Sequence, residues 1–397
     1  MIRYHVGDAR EVLATLPAGS VDLVMTSPPF LAVRSYLPAD HPDKGKEMGG
    51  EPDPGAWVDR MLDATEACRR VLAPHGSLCV ELGDCYAGGG AASDGRGSPE
   101  GMRDSTFSGA NSQSGSGTGW PLNKSLALVP ELYRIALAYG RNPLTGRETP
   151  RWRVRNVVRW HRPNPPVGAL GDKFRPATTD MVVACVSARR YFDLDAVREP
   201  TGENTHARLA KGAEPRPNFG KSADRPGTNF ASLPVMDSVG APPLDTWIIP
   251  TAPYKGSHYA TFPEALCIRP VKAMCPERVC TTCGEPSRRV VGEPVYVRRD
   301  GVKSDGDEAW RSGRGGETIG MGALAPESLT RSVATLGWTD CGHDTWRRGV
   351  VLDPFAGTGT VGIVAETHGR DAVLIDLDAR NVELARQRCG WALEVAS

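Results

Sequence analysis

The sequence contains no apolar run approaching the roughly 20 residues of a membrane-spanning helix, and its opening, MIRYHVGDAR, has no apolar signal-peptide core. A soluble chain with no membrane partner and a cytoplasmic setting is therefore expected. Net charge is also missing: 47 Lys and Arg stand against 47 Asp and Glu, which excludes the overall basic excess with which many proteins neutralise phosphates. The 10 cysteines do not suit an extracellular disulfide framework, a device of short secreted chains. Several cluster at metal-ligand spacing, so reduced thiols and one metal site fit better. With 40% hydrophobic and 24% charged residues, the chain can bury one sizeable core and carry a second, smaller module.

Neutrality on average hides a local excess. Between Arg141 and Arg175 nine Lys and Arg face two acidic residues, and the run Arg151-Trp152-Arg153-Val154-Arg155 through Trp160-His161-Arg162 interleaves them with aromatics. Such a stripe, residues 141–175, is the footprint of a surface that faces double-stranded DNA.

Strand and helix patterns alternate along the chain. Ile2 to Val6 reads as a strand, Val12, Leu13 and Leu16 share a helix face, and Val21 to Met25 is a buried strand ending at Thr26-Ser27-Pro28-Pro29-Phe30. A helix over 56–72 and a strand from Ser77 to Leu82 follow, then two runs able to pair, Val154 to Trp160 and Met181 to Ser187. Near the end, Gly349 to Asp353, a glycine loop, a helix from Val361 to His368, a strand from Ala372 to Ile375 and a helix from Ala379 to Arg388 make one βαβα unit. This order predicts an α/β fold with a largely parallel sheet. Polar stretches at 87–119, 200–243 and 300–332 interrupt it, and the first is expected to be a mobile loop because it has almost no large apolar side chain to offset ordering entropy.

Two loops carry chemistry. In Asp353-Pro354-Phe355-Ala356-Gly357-Thr358-Gly359-Thr360 the glycines let a ligand approach the backbone, and Asp376, at the end of the next strand, is placed to accept from ribose hydroxyls. The loop lacks the lysine of a phosphate-binding Gly-Lys-Ser/Thr turn. In Ser27-Pro28-Pro29-Phe30 the two prolines fix two φ angles and remove two N–H donors, leaving carbonyls rigidly placed. An exocyclic base amine could donate to the Ser27 hydroxyl and the Pro28 carbonyl, which would rehybridise its nitrogen and aim the lone pair at an electrophilic methyl. Phe30 offers a face on which an extruded base can stack, worth on the order of 1–3 kcal/mol.

Together these loops resemble those of the DNA amino-methyltransferases, the N4-cytosine and N6-adenine family. Their order, with the Ser-Pro-Pro-Phe loop first, resembles the circularly permuted β class. Further likenesses are Gly7-Asp8 after the first strand, Trp160 followed by Pro163-Asn164-Pro165-Pro166, and His258-Tyr259-Ala260-Thr261-Phe262-Pro263 before a helix. The resemblance implies a Rossmann-like S-adenosylmethionine-dependent methyltransferase sheet. It assigns catalysis to Ser27, Pro28, Pro29 and Phe30, and the methyl donor's pocket to Asp8, Thr261, Phe262, Asp353, Pro354, Phe355, Gly357, Thr358, Gly359, Thr360, Asp376 and Leu377. Serine rather than aspartate at position 27 points to cytosine N4, with adenine N6 as the alternative. Cytosine C5 chemistry would need a cysteine nucleophile after proline, where Phe30 stands. A bacterial or phage-encoded enzyme with a cognate restriction system is implied, with monomer and dimer both open.

One feature departs from that family's minimal plan. Cys280-Thr281-Thr282-Cys283 and Cys341-Gly342-His343 supply four soft or borderline ligands, two per knuckle, suited to a structural tetrahedral zinc. Cys275 is a substitute ligand on the same reasoning. The expected organisation is a methyltransferase core over 1–195, a variable target-recognition segment over 196–255 and a cofactor-closing segment over 256–274. A zinc-ribbon-like insertion over 275–348 and a cofactor-binding end over 349–397 complete it, with DNA-recognition loops in the variable parts. A zinc-containing DNA-binding module without catalysis is the reading from another class.

Overall fold

A computed structural model describes residues 1–33, 35–88, 117–165, 172–199, 236–237, 240–251, 262–293, 295–298, 329–332, 334–390 and 393–396. The chain opens with β1 (Ile2–Val6), α1 (Ala9–Thr15), β2 (Val21–Thr26), α2 (Pro54–Val71) and β3 (Leu72–Leu82). It continues through α3 (Val129–Tyr139), β4 (Arg153–His161), β5 (Thr178–Cys185), β6 (Met236–Asp237), β7 (Thr246–Ile248) and α4 (Glu264–Met274). Short strands follow: β8 (Arg278–Cys280), β9 (Arg289–Val291), β10 (Val295–Arg298), β11 (Leu329–Ser332), β12 (Thr335–Trp338) and β13 (Trp346–Arg348). The end of the chain holds β14 (Val350–Asp353), α5 (Thr360–Thr367), β15 (Asp371–Asp376), α6 (Arg380–Cys389) and β16 (Leu393–Ala396).

Nine of these strands form one sheet in the order β16-β1-β15-β14-β2-β3-β5-β4-β7. The six from β16 to β3 run parallel, β5 is antiparallel to β3 and β4, and β7 lies parallel to β4. All six residues of β2 are buried, as a parallel strand covered on both faces requires, and that is why Val21 to Met25 is apolar but for Asp22 rather than alternating. The helix α2 starts at Asp53, whose side chain accepts from Ala56 N, with Pro54 in its first turn, where a missing N–H costs nothing. Its Trp57, Val58, Met61, Leu62 and Val71 are buried in the main core with Leu78, Val80 and Leu352.

This topology decides where a ligand can sit. β2 leads through α2 to β3 on one side, whereas β14 leads through α5 to β15 on the other. Between β2 and β14, which pair directly, the connections diverge, and such a switch point leaves a crevice at the carboxyl ends of the strands. Both loops singled out in the sequence leave the sheet there.

Two compact units are present: Met1–Asp193, Leu244–Arg288 and Asp340–Ser397 form one, and Leu194–Pro243 with Arg289–Thr339 the other. These boundaries differ from a separate insertion over 275–348. Cys275, Val279 and Cys280 are buried with the first unit and β8 pairs with β13, so both cysteine knuckles stay with the large sheet. In the second unit β9 pairs with β12, and β11 lies between β10 and β6. The expected mobile loop lies, over 89–116, outside the described residues, as do most of 200–243 and 300–332.

Candidate active site

Thr26 ends β2 and Asp353 ends β14, and the two are joined: Thr26 Oγ1 donates to Asp353 Oδ1 at 2.6 Å. The same carboxylate oxygen accepts from Phe355 N at 3.1 Å, so one buried acid holds the starts of both loops. Next in the chain, Ser27 donates from Oγ to Glu81 Oε2 at 2.6 Å. Glu81 is buried near the end of β3. Burial raises its carboxyl above the ordinary range, and its bond with Ser27 opposes that only in part. The buried Trp57 donates from Nε1 to the Pro29 carbonyl at 3.1 Å. The Phe30 ring lies on Gly83, where a Cβ would stand 2.7 Å from the ring edge. Hydroxyl, carbonyl and ring of the Ser-Pro-Pro-Phe loop are thus each held from a different residue behind it.

The glycine loop is held as firmly. Gly357 N donates to Asp376 Oδ2 at 2.7 Å and Tyr4 Oη donates to the Gly357 carbonyl at 2.7 Å. The other oxygen of Asp376 accepts from Asp378 N and Asn381 Nδ2. Gly357 and Gly359 have left-handed φ angles of 49° and 80°, which side chains rarely adopt. A Cβ on Gly362 would meet Leu374 at 2.8 Å, so this third glycine brings α5 close to β15. Contrary to the expectation that no Gly-x-Gly-x-x-Gly is present, Gly357-x-Gly359-x-x-Gly362 has the spacing of dinucleotide-binding loops. On its own the loop therefore does not choose between ligands.

A cleft opens between the two loops. It is lined by Ser27 and Pro29, by Asp8 and Phe262, and by Pro354, Phe355, Gly357, Thr358, Thr360, Asp376 and Leu377. Pro28, Phe30, Asp353 and Gly359 are not among the lining residues. Thr261 lies outside the described residues. Asp8 is also the N-cap of α1, accepting from Arg10 N and Glu11 N. Burial pushes its carboxyl up, but the bonds from Arg10 and the Glu11 amide outweigh this and leave it lower than usual. Sequence reasoning missed Glu81, Tyr4 and the lining residues Tyr36, Leu37, Lys46, Glu47 and Met48. Only Glu81 carried a signal, as the one charge inside the apolar run Leu78-Cys79-Val80-Glu81-Leu82.

A family model described as DNA methylase, covering the N6 and N4 methyltransferases, matches residues 21–280 and 343–387. Both loops and the strands that position them fall within the match. The chain belongs to this DNA methylase family. Among its relatives is the type II methyltransferase M.SmaI of Serratia marcescens, 24% identical over 96% of the chain and 89% of that protein. Another is M.SfiI of Streptomyces fimbriatus, 32% identical over 49% of the chain but only 38% of its own length. Among solved structures, a PvuII DNA methyltransferase, described as cytosine-N4-specific, aligns with a TM-score of 0.49 at 14% identity, over 97% of the chain and 85% of its own.

The family match stops at residue 280 and resumes at 343, so Cys280 and His343 stand at its two inner edges and Cys283 and Cys341 between them. Cys280, Cys283, Cys341 and His343 bring their ligand atoms within 4.8 Å of one another. Cys275 is not part of this group. It is fully buried, with its Sγ 2.9 Å from where a Cβ on Gly349 would stand, and it packs as an apolar side chain.

The basic stripe of the methylase also differs from expectation. Trp152 and Trp160 are buried, the first in the main core and the second donating to the Ile249 carbonyl at 2.8 Å, so neither offers a stacking face. Arg159 pairs with Asp180 at 3.1 Å, and Arg147 with Asp63 at 2.8 Å. Arg151, Arg153 and Arg155 are exposed. Among the described residues, no helix is long and apolar enough to cross a membrane.

Proposed function

We propose that this DNA methylase transfers a methyl group from S-adenosylmethionine to N4 of a cytosine extruded from duplex DNA. The observation that carries the reading is Ser27, which lines the cleft while its hydroxyl proton is committed to Glu81. A hydroxyl so held has its oxygen lone pairs left to accept from an amine. Accepting one amine hydrogen at Ser27 and the other at the Pro28 carbonyl localises the nitrogen lone pair. The proton lost on methylation passes to Ser27 Oγ as its own moves to Glu81, whose raised affinity for protons suits the task. Phe30 supplies the stacking face. Cytosine rather than adenine is chosen on serine at position 27.

Asp8, Phe262, Phe355, Gly357 and Asp376 would hold S-adenosylmethionine, joined by Thr261, and the donor supplies an electrophilic methyl on its sulfonium. The glycines and the acids lining the cleft fit an uncharged ribose and a cationic centre. The placement of this loop after the Ser-Pro-Pro-Phe loop supports the permuted arrangement. The exposed Arg151, Arg153 and Arg155 would contact DNA phosphates. By likeness to type II methyltransferases, a cognate restriction nuclease would act on the same DNA word. Cys280, Cys283, Cys341 and His343 would bind one zinc, structural because four protein ligands leave no open position. Mass spectrometry of nucleosides from DNA treated with enzyme and donor tests the reaction. 4-Methylcytosine is expected, and 6-methyladenine alone overturns the choice of base.

A further inference from the structure

The zinc knuckles are built into a weak element with a strong attachment. The antiparallel pairing of β8 with β13 spans only Arg278 to Cys280 and Trp346 to Arg348, and two strands that short are not stable by themselves. Between Cys283 and Cys341 the chain makes a long excursion, of which Arg289–Thr339 belongs to the second unit. Closing so long a loop by three residue pairs is costly in chain entropy. The four ligands sit at that closure, each pair bent by a left-handed glycine, Gly284 after Cys283 and Gly342 between Cys341 and His343. Thr281 N donates to the Thr345 carbonyl at 3.0 Å beside them.

The middle residue of β13 has a separate task. Arg347 donates from Nη1 and Nη2 to both oxygens of Asp22, at 2.6 and 3.1 Å. Asp22 is wholly buried in β2, the strand that ends at the Ser27 loop. It also accepts from Val350 N at 2.8 Å and shares a 2.9 Å hydrogen bond with His75 Nε2. A buried carboxylate is tolerated only while its charge is matched, and removing one partner of such a pair is strongly destabilising. The cation that matches Asp22 is therefore delivered by the element whose closure depends on the knuckles.

We propose that the metal acts as a staple: by closing the excursion at its base it holds Arg347 on Asp22, so that the stability of the methyl-transfer core depends on the metal. This inference rests on the zinc reading of the four ligands. It predicts that chelation weakens the sheet itself, well away from the cleft.

The test uses the full chain, measuring zinc content by mass spectrometry and melting temperature with and without a chelator. One zinc per chain is expected, with a fall of roughly 5–10 °C on its removal that is reversed by added zinc. Cys283→Ser, at an exposed position, should reproduce the fall without chelator. In Asp22→Asn, which no longer needs a matching cation, zinc should still bind but its removal should lower the melting temperature by less than half as much. Arg347→Met should bind zinc and show the same reduced response; if it fails to fold, Asp22→Asn decides alone. Absence of bound zinc overturns the metal site itself. Bound zinc with an undiminished response to chelation in Asp22→Asn overturns the staple and leaves the metal site standing.

Discussion

Thr26 and Asp353 are 327 positions apart in the chain, yet they share a buried 2.6 Å hydrogen bond at the switch point of the sheet. Through it the residue before Ser27 and the residue before Pro354 form one rigid joint. The two halves of the cleft are thereby tied by a side-chain contact as well as by the backbone pairing of β2 with β14.

The joint makes stability depend on pH. Burial pushes the Asp353 carboxyl from 3.8 up to about 7, against the opposing bonds from Thr26 and the Phe355 amide. A carboxyl raised in the folded state stabilises the fold fully below its unfolded value of 3.8 and loses that contribution as pH rises through about 7. Asp353→Asn keeps an oxygen for Thr26 and Phe355 but cannot ionise. The difference in unfolding free energy between wild type and the variant should therefore change between pH 4 and 7, by up to about 1.4 kcal/mol per pH unit. Denaturant unfolding at a series of pH values measures it, and parallel curves for the two proteins would remove the basis for the claim.

Glu81 gives a kinetic counterpart. Glu81→Gln keeps the size and an acceptor for Ser27 but cannot take a proton. Single-turnover methylation should fall by about a hundredfold, while donor binding stays unchanged. In the wild type, the rate should drop on acidification at a pH above the ordinary carboxylate range, since burial raises this group, and the drop should be absent in the variant. A variant within a few-fold of wild type, with the same acid limb, contradicts the proton-accepting role.

Most of the sheet was legible because buried parallel strands announce themselves: Val21 to Met25, apart from Asp22, and Val350 to Leu352 are apolar runs leading into chemically distinctive loops. The loops were legible for the same reason, since proline and glycine fix backbone geometry locally. The contacts that hold them were not. Trp57, Glu81 and Tyr4 come from other elements, and only the folded register brings each within hydrogen-bond distance of Pro29, Ser27 and Gly357. The tryptophans of the basic run misled in the opposite direction, because the register of β4 places exposed Arg159 and buried Trp160 on opposite faces. Charge pattern alone does not say which aromatic side chains face water.

The seat of Phe30 on Gly83 gives a prediction about the extruded base. Gly83→Ala adds a methyl group 2.7 and 2.9 Å from Phe30 ring carbons, closer than carbon atoms pack, so the ring must move. Because Phe30 is half-buried at the end of its loop, the fold should survive and the stacking face should not. The variant should lose roughly tenfold in kcat/KM for DNA, a size consistent with 1–3 kcal/mol of stacking. Phe30→Ala should lose about as much, and the double variant little more than either, since both changes remove one interaction. Additive losses in steady-state assays, with donor binding intact, would separate Gly83 from Phe30 and remove the stacking role assigned to the ring.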